Sequence, residues 1–264
     1  MILPGVYLVA ALGVAQGHTI PFPGKTQSVE YAVTASVSAS YLGGKSAPPQ
    51  TVARFAGKIE IRLTTENGGS MLVMRARDFK PLGDSTKFSE TELRLLNRGS
   101  WQCGLTRRDH ALTIDGKKAT PSVLGSPLWP FVWEPISSES PLKLGQVIPR
   151  VYSIPAQAFL MDDPVGEVRL AADARLDEVL PNEYRFVATG QEATTRPVSH
   201  PEAQGLTLSS TLRVDGRWTV SRTDGWIDSG SILLIATLEL SSPEHPFGFS
   251  KAKATVACDL RRLR

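Results

Sequence analysis

The sequence predicts an all-β protein of long antiparallel strands, arranged as one curved sheet, a half-barrel or a sandwich, with little helix. Polar and apolar residues alternate along many segments, as they do on strands with one dry and one wet face. Short segments of turn-forming residues separate these stretches, and the 264 residues include 22 Gly and 19 Pro. Short connections favour antiparallel neighbours.

The clearest alternation runs over Thr207–Leu240. Every odd-numbered residue from Thr207 to Thr223 is polar, and the even positions include Leu208, Leu212, Val214, Trp218 and Val220. A three-residue loop, Thr223-Asp224-Gly225, with a left-handed glycine, pairs even residues with even residues of the returning strand. This register predicts that Trp218 and Leu234 lie on the same apolar face.

The first half of the chain predicts a meander of three strands followed by a hairpin. The meander strands are Ser28–Leu42, Thr51–Thr65 and Met71–Phe79, and the hairpin strands are Trp101–Leu105 and Ala111–Ile114. In the first two strands the odd-numbered residues are apolar. Asn-Gly-Gly between the second and third is a strong signal for an antiparallel turn.

Residues 80–96 have two interpretations. Ser89-Glu90-Thr91-Glu92 resembles a capping box that opens a short helix. The same residues fit an edge strand with Thr91, Leu93 and Leu95 facing inward, and we favour this strand.

Residues 119–141 interrupt the alternation. They contain Pro121, Pro127, Pro130, Pro135 and Pro141, and so many prolines exclude a central strand or a helix. We therefore expect residues 18–264 to form a single β-rich domain of two halves, 26–120 and 142–264, joined by this Pro/Trp-rich segment.

The second half repeats the alternating pattern. Besides the central hairpin, its predicted strands are Gln146–Ile154, Gly166–Asp177, Glu183–Ala188 and Phe249–Leu260. A helix over Val168–Leu180 is the alternative for the second of these, because Ala, Leu, Glu and Arg favour helix. A long loop through Arg196-Pro197 and His200-Pro201 is predicted to follow the third.

The N-terminus predicts export. Ile2–Val14 is apolar or small, and Ala15-Gln16-Gly17 offers a cleavage site, so residues 1–17 fit a signal peptide and the mature chain begins near His18. The segment carries no Lys or Arg before its apolar part. The alternatives are a true start upstream of Met1, or a buried strand of the mature protein. No later segment is long and apolar enough for a transmembrane helix.

Charge and motifs exclude several function classes. The net charge is only +3, and the basic residues are dispersed, whereas nucleic-acid binders concentrate them on one face. The sequence has no nucleophile elbow and no glycine-rich nucleotide motif. Its histidines lack a second ligand at a metal-binding spacing; they are His18, His110, His200 and His245. We therefore predict no metal, no cofactor, no nucleic-acid partner and no catalytic residue.

A cluster of aromatic residues in the Pro-rich segment is the candidate ligand site. Trp129, Phe131 and Trp133 lie within five residues. One interpretation is that they plug the open end of the sheet. The other is an aromatic lip for a lipid, sugar or peptide, because apolar rings with a polar edge suit such ligands.

Cys103 and Cys258 are the two cysteines of the chain, both at apolar positions of predicted strands. One interpretation is a pair of separate buried thiols, since free cysteine behaves as a small apolar residue. Export favours a disulfide between them, as a structural bond across the two halves.

The second half also carries a family resemblance. The Pro/Trp-rich segment is followed by Leu144-Gly145-Gln146, a strand with an embedded proline, and a late strand–Asp-Gly–strand hairpin. This arrangement resembles uncharacterised β-rich proteins exported by bacteria, over about the last 120 residues. The resemblance implies export and β architecture, and no catalytic residue.

Three functions remain open from the sequence. The first is an exported, non-enzymatic binding or carrier protein for a hydrophobic or amphipathic ligand, because small inward residues leave room inside a curved sheet. Those residues are Ala172, Ala236, Ala252 and Ala254. The second is a structural or interaction module of the cell envelope, with a filled core. The third is a hydrolase, whose acid pair would come from Glu60, Asp173 and Asp215 on the wet strand faces.

Overall fold

The computed structural model describes residues 17–21, 28–42, 51–66, 69–83, 93, 97–104, 110–114, 116–118, 141–155, 167–198 and 205–263. These residues form twelve strands of one antiparallel sheet. The strands are β1 (Ser28–Leu42), β2 (Thr51–Glu66), β3 (Gly69–Pro81), β4 (Gly99–Gly104), β5 (His110–Ile114), β6 (Lys117–Lys118), β7 (Val147–Pro155), β8 (Glu167–Val179), β9 (Glu183–Pro197), β10 (Thr207–Ser221), β11 (Ile227–Ser242) and β12 (His245–Arg262).

The first and last strands lie side by side in the middle of the sheet. The spatial order is β6-β5-β4-β3-β2-β1-β12-β11-β10-β9-β8-β7. Strands β1 to β6 run from the middle to one edge, and β7 to β12 run from the opposite edge back to the middle. Nearly every step joins strands that are consecutive in the chain, as short connections require. The prediction of an all-β protein built from antiparallel strands in a curved sheet is confirmed, and the sheet is open.

One face of the sheet, which we call the inner face, carries the core. Its buried side chains come from the odd positions of β1 and β2 and the even positions of β8 to β12, as the alternation predicts. They form one contiguous apolar cluster. A flat single sheet would leave such a face in water, so the curvature of the sheet is what allows these side chains to be buried. The opposite face, which we call the outer face, carries most of the charged residues of the strands.

The β10–β11 hairpin has the predicted register. Val214 pairs with Leu234, and Trp218 pairs with Gly230. Trp218 is 8% exposed and its ring stacks on Phe186, with centroids 6.2 Å apart. The prediction that Trp218 belongs to the apolar face is confirmed.

The turn of this hairpin is one residue longer than predicted. The amide of Ser221 donates to the carbonyl of Trp226 at 2.8 Å, so residues 222–225 form a four-residue loop. Gly225 has the predicted left-handed conformation, with φ of 72°. A register shift opposite Thr219 and Val220 leaves Asp228 as an extra residue of β11. The extra loop residue and this bulge offset each other, which is why the register is still the predicted one.

Glycine at position 190 allows one edge of the sheet to bend over the inner face. A Cβ added to Gly190 would lie 2.8 Å from the Cα of Ala172 on β8. The pairing of β8 with β9 begins only at Asp173 and Thr189. The part of β8 before Asp173 therefore does not pair with β9. Its backbone crosses over β9 instead, and a side chain at position 190 would prevent this close approach.

Strand β9 extends nine residues past its predicted end at Ala188, to Pro197. The prediction of a loop through Arg196-Pro197 is therefore wrong for this part of the chain. The inward positions beyond Ala188 are Gly190, Glu192, Thr194 and Arg196, so the strand loses its apolar residues while keeping its hydrogen-bonded pairing with β10. His200 and Pro201 lie outside the described residues.

The predicted edge strand over residues 80–96 is also wrong in its described part. Leu93 is helical, and so are Asn97 and Arg98 just beyond it. The Asn97 side chain accepts from the amide of Phe79 at 2.7 Å and donates to the carbonyl of Phe79 at 3.1 Å. The Asn97 side chain thus bonds the backbone amide and carbonyl of Phe79, which a neighbouring strand would otherwise have bonded.

The predicted disulfide is absent from the structure, in which Cys258 is a free, buried thiol. Cys258 lies on β12 between Ala35 of β1 and Ile232 of β11. Cys103 lies on β4, and strands β3, β2 and β1 stand between β4 and β12. The buried position of Cys258 agrees with its predicted apolar phase, but the sheet order separates the two strands.

Candidate functional site

The inner face has two parts, and the first is the end near the β10–β11 turn, where large rings fill the space above glycines. A Cβ added to Gly216 would lie 3.1 Å from Cζ3 of Trp218. A Cβ added to Gly57 would lie 2.6 Å from Cδ2 of Phe79, whose ring packs edge-on against Phe55. The protein's own rings therefore occupy the room that these glycines leave.

The second part lies toward the opposite ends of β10, β11 and β12, and we call it the far half. Its centre is made of small side chains: Ala236 pairs with Ala254, and the next inward pair is Leu238 with Ala252. These residues are 0–2% exposed. Alanine side chains are shorter than the neighbouring leucine side chains, so they fill less of the space above this part of the inner face.

Inward polar side chains of β9 border the far half. Glu192 pairs with Leu212, and Thr194 pairs with Ser210 on β10. The hydroxyl groups of Thr194 and Ser210 are 2.8 Å apart and hydrogen bonded, and Ser210 is only 3% exposed. Glu192, Thr194 and Arg196 are half-buried, unlike the fully buried inward residues earlier on β9. The inner face therefore becomes both polar and accessible along this strand.

Glu192 also holds the bend of β8 in place. Its Oε2 accepts a hydrogen bond from the amide of Ala171 at 2.8 Å. That amide belongs to the part of β8 that crosses over Gly190. The carboxylate of Glu192 thus accepts a backbone hydrogen bond that the carbonyl of a neighbouring strand accepts elsewhere in the sheet.

An arginine with two carboxylates closes the turn end of the inner face. Arg262 donates from Nη2 to Oδ2 of Asp224 at 2.6 Å and from Nη1 to Oδ1 of Asp224 at 3.1 Å. It also donates from Nη1 to Oδ1 of Asp228 at 3.3 Å. The two acids come from the loop and the bulge of the β10–β11 turn, so this cluster fastens the turn to the end of β12.

The two carboxyl groups of this cluster titrate in opposite directions. Burial opposes ionisation of both. For Asp224, hydrogen bonds from Arg262 and Ser221 and from the amide of Trp226 outweigh burial and lower its pKa. For Asp228, burial prevails and the neighbouring charge of Asp224 adds to it, so its pKa is raised. Burial also raises the pKa of Tyr31, which lies beside this cluster.

The segment at residues 17–21 packs against the same end of the sheet. His18 and Leu142 exchange two backbone hydrogen bonds of 2.7 and 2.8 Å. Ile20 is 2% exposed and belongs to the core cluster. The hydroxyl of Tyr184 donates to the carbonyl of Thr19 at 3.2 Å. His18, Thr19 and Ile20 are thus part of the folded domain.

The outer face has a shallow groove of about 800 Å³ across β8 to β12. Its charged lining consists of Arg175, Arg185, Arg217, Arg261, Asp177, Glu178 and Asp259. Two of the four arginines are neutralised within the groove: Arg175 binds Asp177 at 3.0 Å, and Arg185 binds Glu178 at 2.7 Å. Positive and negative side chains nearly balance, so the lining favours neither anions nor cations strongly.

The acids proposed for a hydrolase lie on the outer face, and two of the three have basic partners. Glu60 is bound by Arg77, and Asp215 is bound by Arg213 at 2.9 Å. Asp173 on β8 and Asp215 on β10 both pair with Thr189 on β9, on a face where both carboxylates are solvated. Across the described ranges, no three His, Cys, Asp or Glu residues are grouped so that they could hold a metal ion.

The sequence pattern did not identify the polar inward side chains of β9. Their signal was the even spacing of Glu192, Thr194 and Arg196, which continues the phase of Phe186 and Ala188. We interpreted the loss of apolar residues there as the end of the strand. The candidate aromatic site, Trp129, Phe131 and Trp133, lies outside the described residues, as do residues 1–16 of the predicted signal peptide.

Comparisons with known proteins identify no family for this chain. No family model and no curated protein matches it. A solved structure concerned with lipid–protein interactions in lipovitellin is similar, with 12% identity, a TM-score of 0.42, and coverage of 90% of this chain. The chain spans 25% of the length of that lipovitellin chain.

Two further solved structures are similar. An outer membrane channel from Pseudomonas putida F1 has 8% identity and a TM-score of 0.23, with 100% of both chains covered. Salmonella typhi OmpF in complex with daunomycin has 9% identity and a TM-score of 0.21, with 89% of this chain and 98% of that chain covered. At these TM-scores the likenesses assign no function. In the part of the chain that the structure describes, no helix combines the length and apolarity needed to cross a membrane.

Proposed function

We propose that this protein is an exported, non-enzymatic binding or carrier protein for a hydrophobic or amphipathic ligand, held by the far half of the inner face. The observation that carries the proposal is the position of half-buried polar side chains on β9 directly beside an apolar surface of small residues. The paired residues Thr194 and Ser210 are the next inward pair along β9 and β10 after Glu192 and Leu212. Leu212 in turn pairs with Ala236 on β11, which pairs with Ala254 on β12.

An amphipathic molecule matches this arrangement physically. Its hydrocarbon part is stabilised by about 25 cal/mol for each Å² of apolar surface removed from water. Its polar part needs hydrogen-bonding partners wherever water is excluded. The hydroxyl, carboxylate and guanidinium groups of β9 supply these partners at the accessible border of the apolar surface.

Export is part of the same proposal. The apolar segment before residue 17 and the resemblance to exported bacterial β-rich proteins support it. The packing of His18, Thr19 and Ile20 into the folded domain supports a mature chain that begins near His18. N-terminal sequencing of the protein from its native host tests this point. An intact Met1 in a cytoplasmic fraction would contradict it.

A structural or interaction module with a filled core is the second candidate. It is favoured by the turn end of the inner face, where Trp218 covers Gly216 and Phe79 covers Gly57. The two candidates differ in the far half, where a carrier needs space for a ligand and a structural module does not.

Native mass spectrometry of protein purified from its host, without detergent, separates the two. A carrier is expected to show a discrete additional mass that organic extraction removes and that readdition of the extract restores. A filled module would show only the mass of the polypeptide, before and after extraction.

A further inference from the structure

A small pocket opens where β3 and β4 separate. The pairing of these strands ends at Arg75 and Ser100, and farther along β3 the Asn97 side chain bonds the backbone of Phe79. The pocket lies between these two attachments and has a volume of about 320 Å³. Its polar lining consists of Arg75, Arg77, Arg98, Asn97, Ser100 and Thr113. The pocket is therefore distinct from the far half of the inner face and from the groove across β8 to β12.

The charge of this pocket is of one sign. Its lining contains three arginines and no carboxylate, whereas the charges of the groove across β8 to β12 nearly balance. Glu60 pairs with Arg75 along the ladder, but its carboxylate is bound by Arg77, which offsets one of the three charges. Arg75 forms no hydrogen bond or ion pair with any residue that the structure describes. The lining therefore keeps an excess of positive charge.

The strand register brings the donors of the pocket close together. Arg75 pairs with Ser100 on β4, and Ser100 pairs with Thr113 on β5. Adjacent strands are about 4.8 Å apart, so the three Cα atoms lie within about 10 Å. Arg77 follows two residues after Arg75, on the same face of β3. Ser100 and Thr113 are half-buried and the arginines are exposed, so the hydroxyl groups lie deeper than the guanidinium groups.

One of the two hydroxyl groups keeps its hydrogen available for a ligand. The hydroxyl of Thr113 donates to the carbonyl of Ser100 at 3.3 Å. The hydroxyl of Ser100 has no partner among the residues that the structure describes. The pocket thus offers guanidinium N–H groups and one O–H group to the same small volume.

The class of ligand follows from these donors. A guanidinium group presents its N–H donors as a planar fork that matches two oxygens of a carboxylate or a phosphate. A phosphate monoester has three terminal oxygens and about two negative charges at pH 7, more of both than a carboxylate. Arginines this close repel one another, and a bound anion removes that repulsion. A phosphate monoester therefore fits the number of donors and the excess of charge better than a carboxylate does.

We propose that this pocket binds the phosphate group of a phosphate monoester, with Arg75 and Arg98 as its charged contacts and Ser100 as a hydroxyl donor. The inference does not depend on the ligand proposed for the inner face. A soluble monoester and the headgroup of phosphatidic acid both present this group. The volume of about 320 Å³ suits such a small group.

The test titrates ¹⁵N-labelled protein with glycerol 3-phosphate, and glycerol is the neutral control. Glycerol 3-phosphate is expected to shift the amide signals of Gly99, Ser100 and Gly116 in one saturable transition, and glycerol is expected to shift none of them. The second arm is sedimentation with phosphatidylcholine vesicles that contain or lack phosphatidic acid. Binding of glycerol 3-phosphate supports a soluble source, and binding of the phosphatidic acid vesicles alone supports a lipid headgroup.

Two variants decide whether the binding belongs to the pocket. Arg75→Gln should weaken binding of the phosphate probe about 5- to 20-fold. The matched control is Arg217→Gln, which removes the same charge from another exposed arginine of the outer face and should weaken binding less than about twofold. Equal losses in the two variants, or no binding of either probe, would overturn the inference. Neither result bears on the ligand of the inner face.

Discussion

Arg262, the last residue of β12, holds the carboxylate of Asp224 with two hydrogen bonds of 2.6 and 3.1 Å. The two residues are 38 positions apart, and their side chains are 24% and 27% exposed. The contact joins the centre of the sheet to the turn of the hairpin that carries Trp218 and Trp226. The contact therefore stabilises the turn of this hairpin against the end of β12.

The first prediction concerns this pair. Arg262→Ala leaves two partly buried carboxylates without their cation, and it should lower the free energy of unfolding by about 1–3 kcal/mol, less than for a fully buried pair. The control is Arg213→Ala, which breaks the exposed pair with Asp215 and should cost less than about 1 kcal/mol. Urea unfolding of the two variants measures both. Equal costs would contradict the structural role of Arg262.

The second prediction concerns pH. The folded pKa of Asp224 is below its ordinary value of 3.8, so its contribution is complete above pH 3.8 and is lost as the pH falls through the folded value. The folded pKa of Asp228 is raised, so its contribution is complete below pH 3.8 and is lost as the pH rises through its folded value. Unfolding free energies of Asp224→Asn and Asp228→Asn between about pH 2.5 and 7 should differ from the parent with opposite slopes. Slopes of the same sign would refute the assignment.

The third prediction concerns Trp218. It packs against Phe186 and over Gly216, so Trp218→Ala should lower the free energy of unfolding by about 3–5 kcal/mol. Arg217→Ala, on the outer face of the same strand, is the matched control and should change it by less than about 0.5 kcal/mol. A Trp218→Ala protein that unfolds at the parent's urea concentration would show that the register is incorrect.

The fourth prediction concerns Cys258. Burial, with a smaller effect of the Asp259 charge, raises the pKa of its thiol to about 12, and the side chain is 1% exposed. In a Cys103→Ser background, the native protein should react with a thiol reagent at pH 8 only as fast as it unfolds, and at once in denaturant. Rapid stoichiometric labelling of the native protein would show that β12 is not buried as described.

The fold was predictable from the sequence wherever polar and apolar residues alternate regularly along a strand. Strand β1 has its predicted bounds, and the β10–β11 register follows from matching the apolar phases of two strands. The loop length did not follow, because an extra turn residue and the Asp228 bulge compensate without altering the hydrophobic pattern.

The candidate site was much less predictable. Glu192, Thr194 and Arg196 interrupt the apolar phase, so periodicity indicated a loop where pairing with β10 continues. The pairing of β1 with β12 brings together residues more than 200 positions apart, which no local pattern encodes. The same long-range order separates Cys103 from Cys258, whereas the even cysteine count together with predicted export had favoured a disulfide between them.

The most direct measurement of the central claim is calorimetric titration with a single-chain lipid below its critical micelle concentration. The parent is compared with Ala254→Phe, which fills the far half of the inner face, and with Ala257→Phe, which adds the same ring to the outer face of the same strand. We expect the parent and Ala257→Phe to bind one lipid per chain with a negative heat-capacity change, and Ala254→Phe to bind at least about 10-fold more weakly while still folded. Unchanged binding by folded Ala254→Phe, or no binding by the parent, would contradict a ligand site on the inner face.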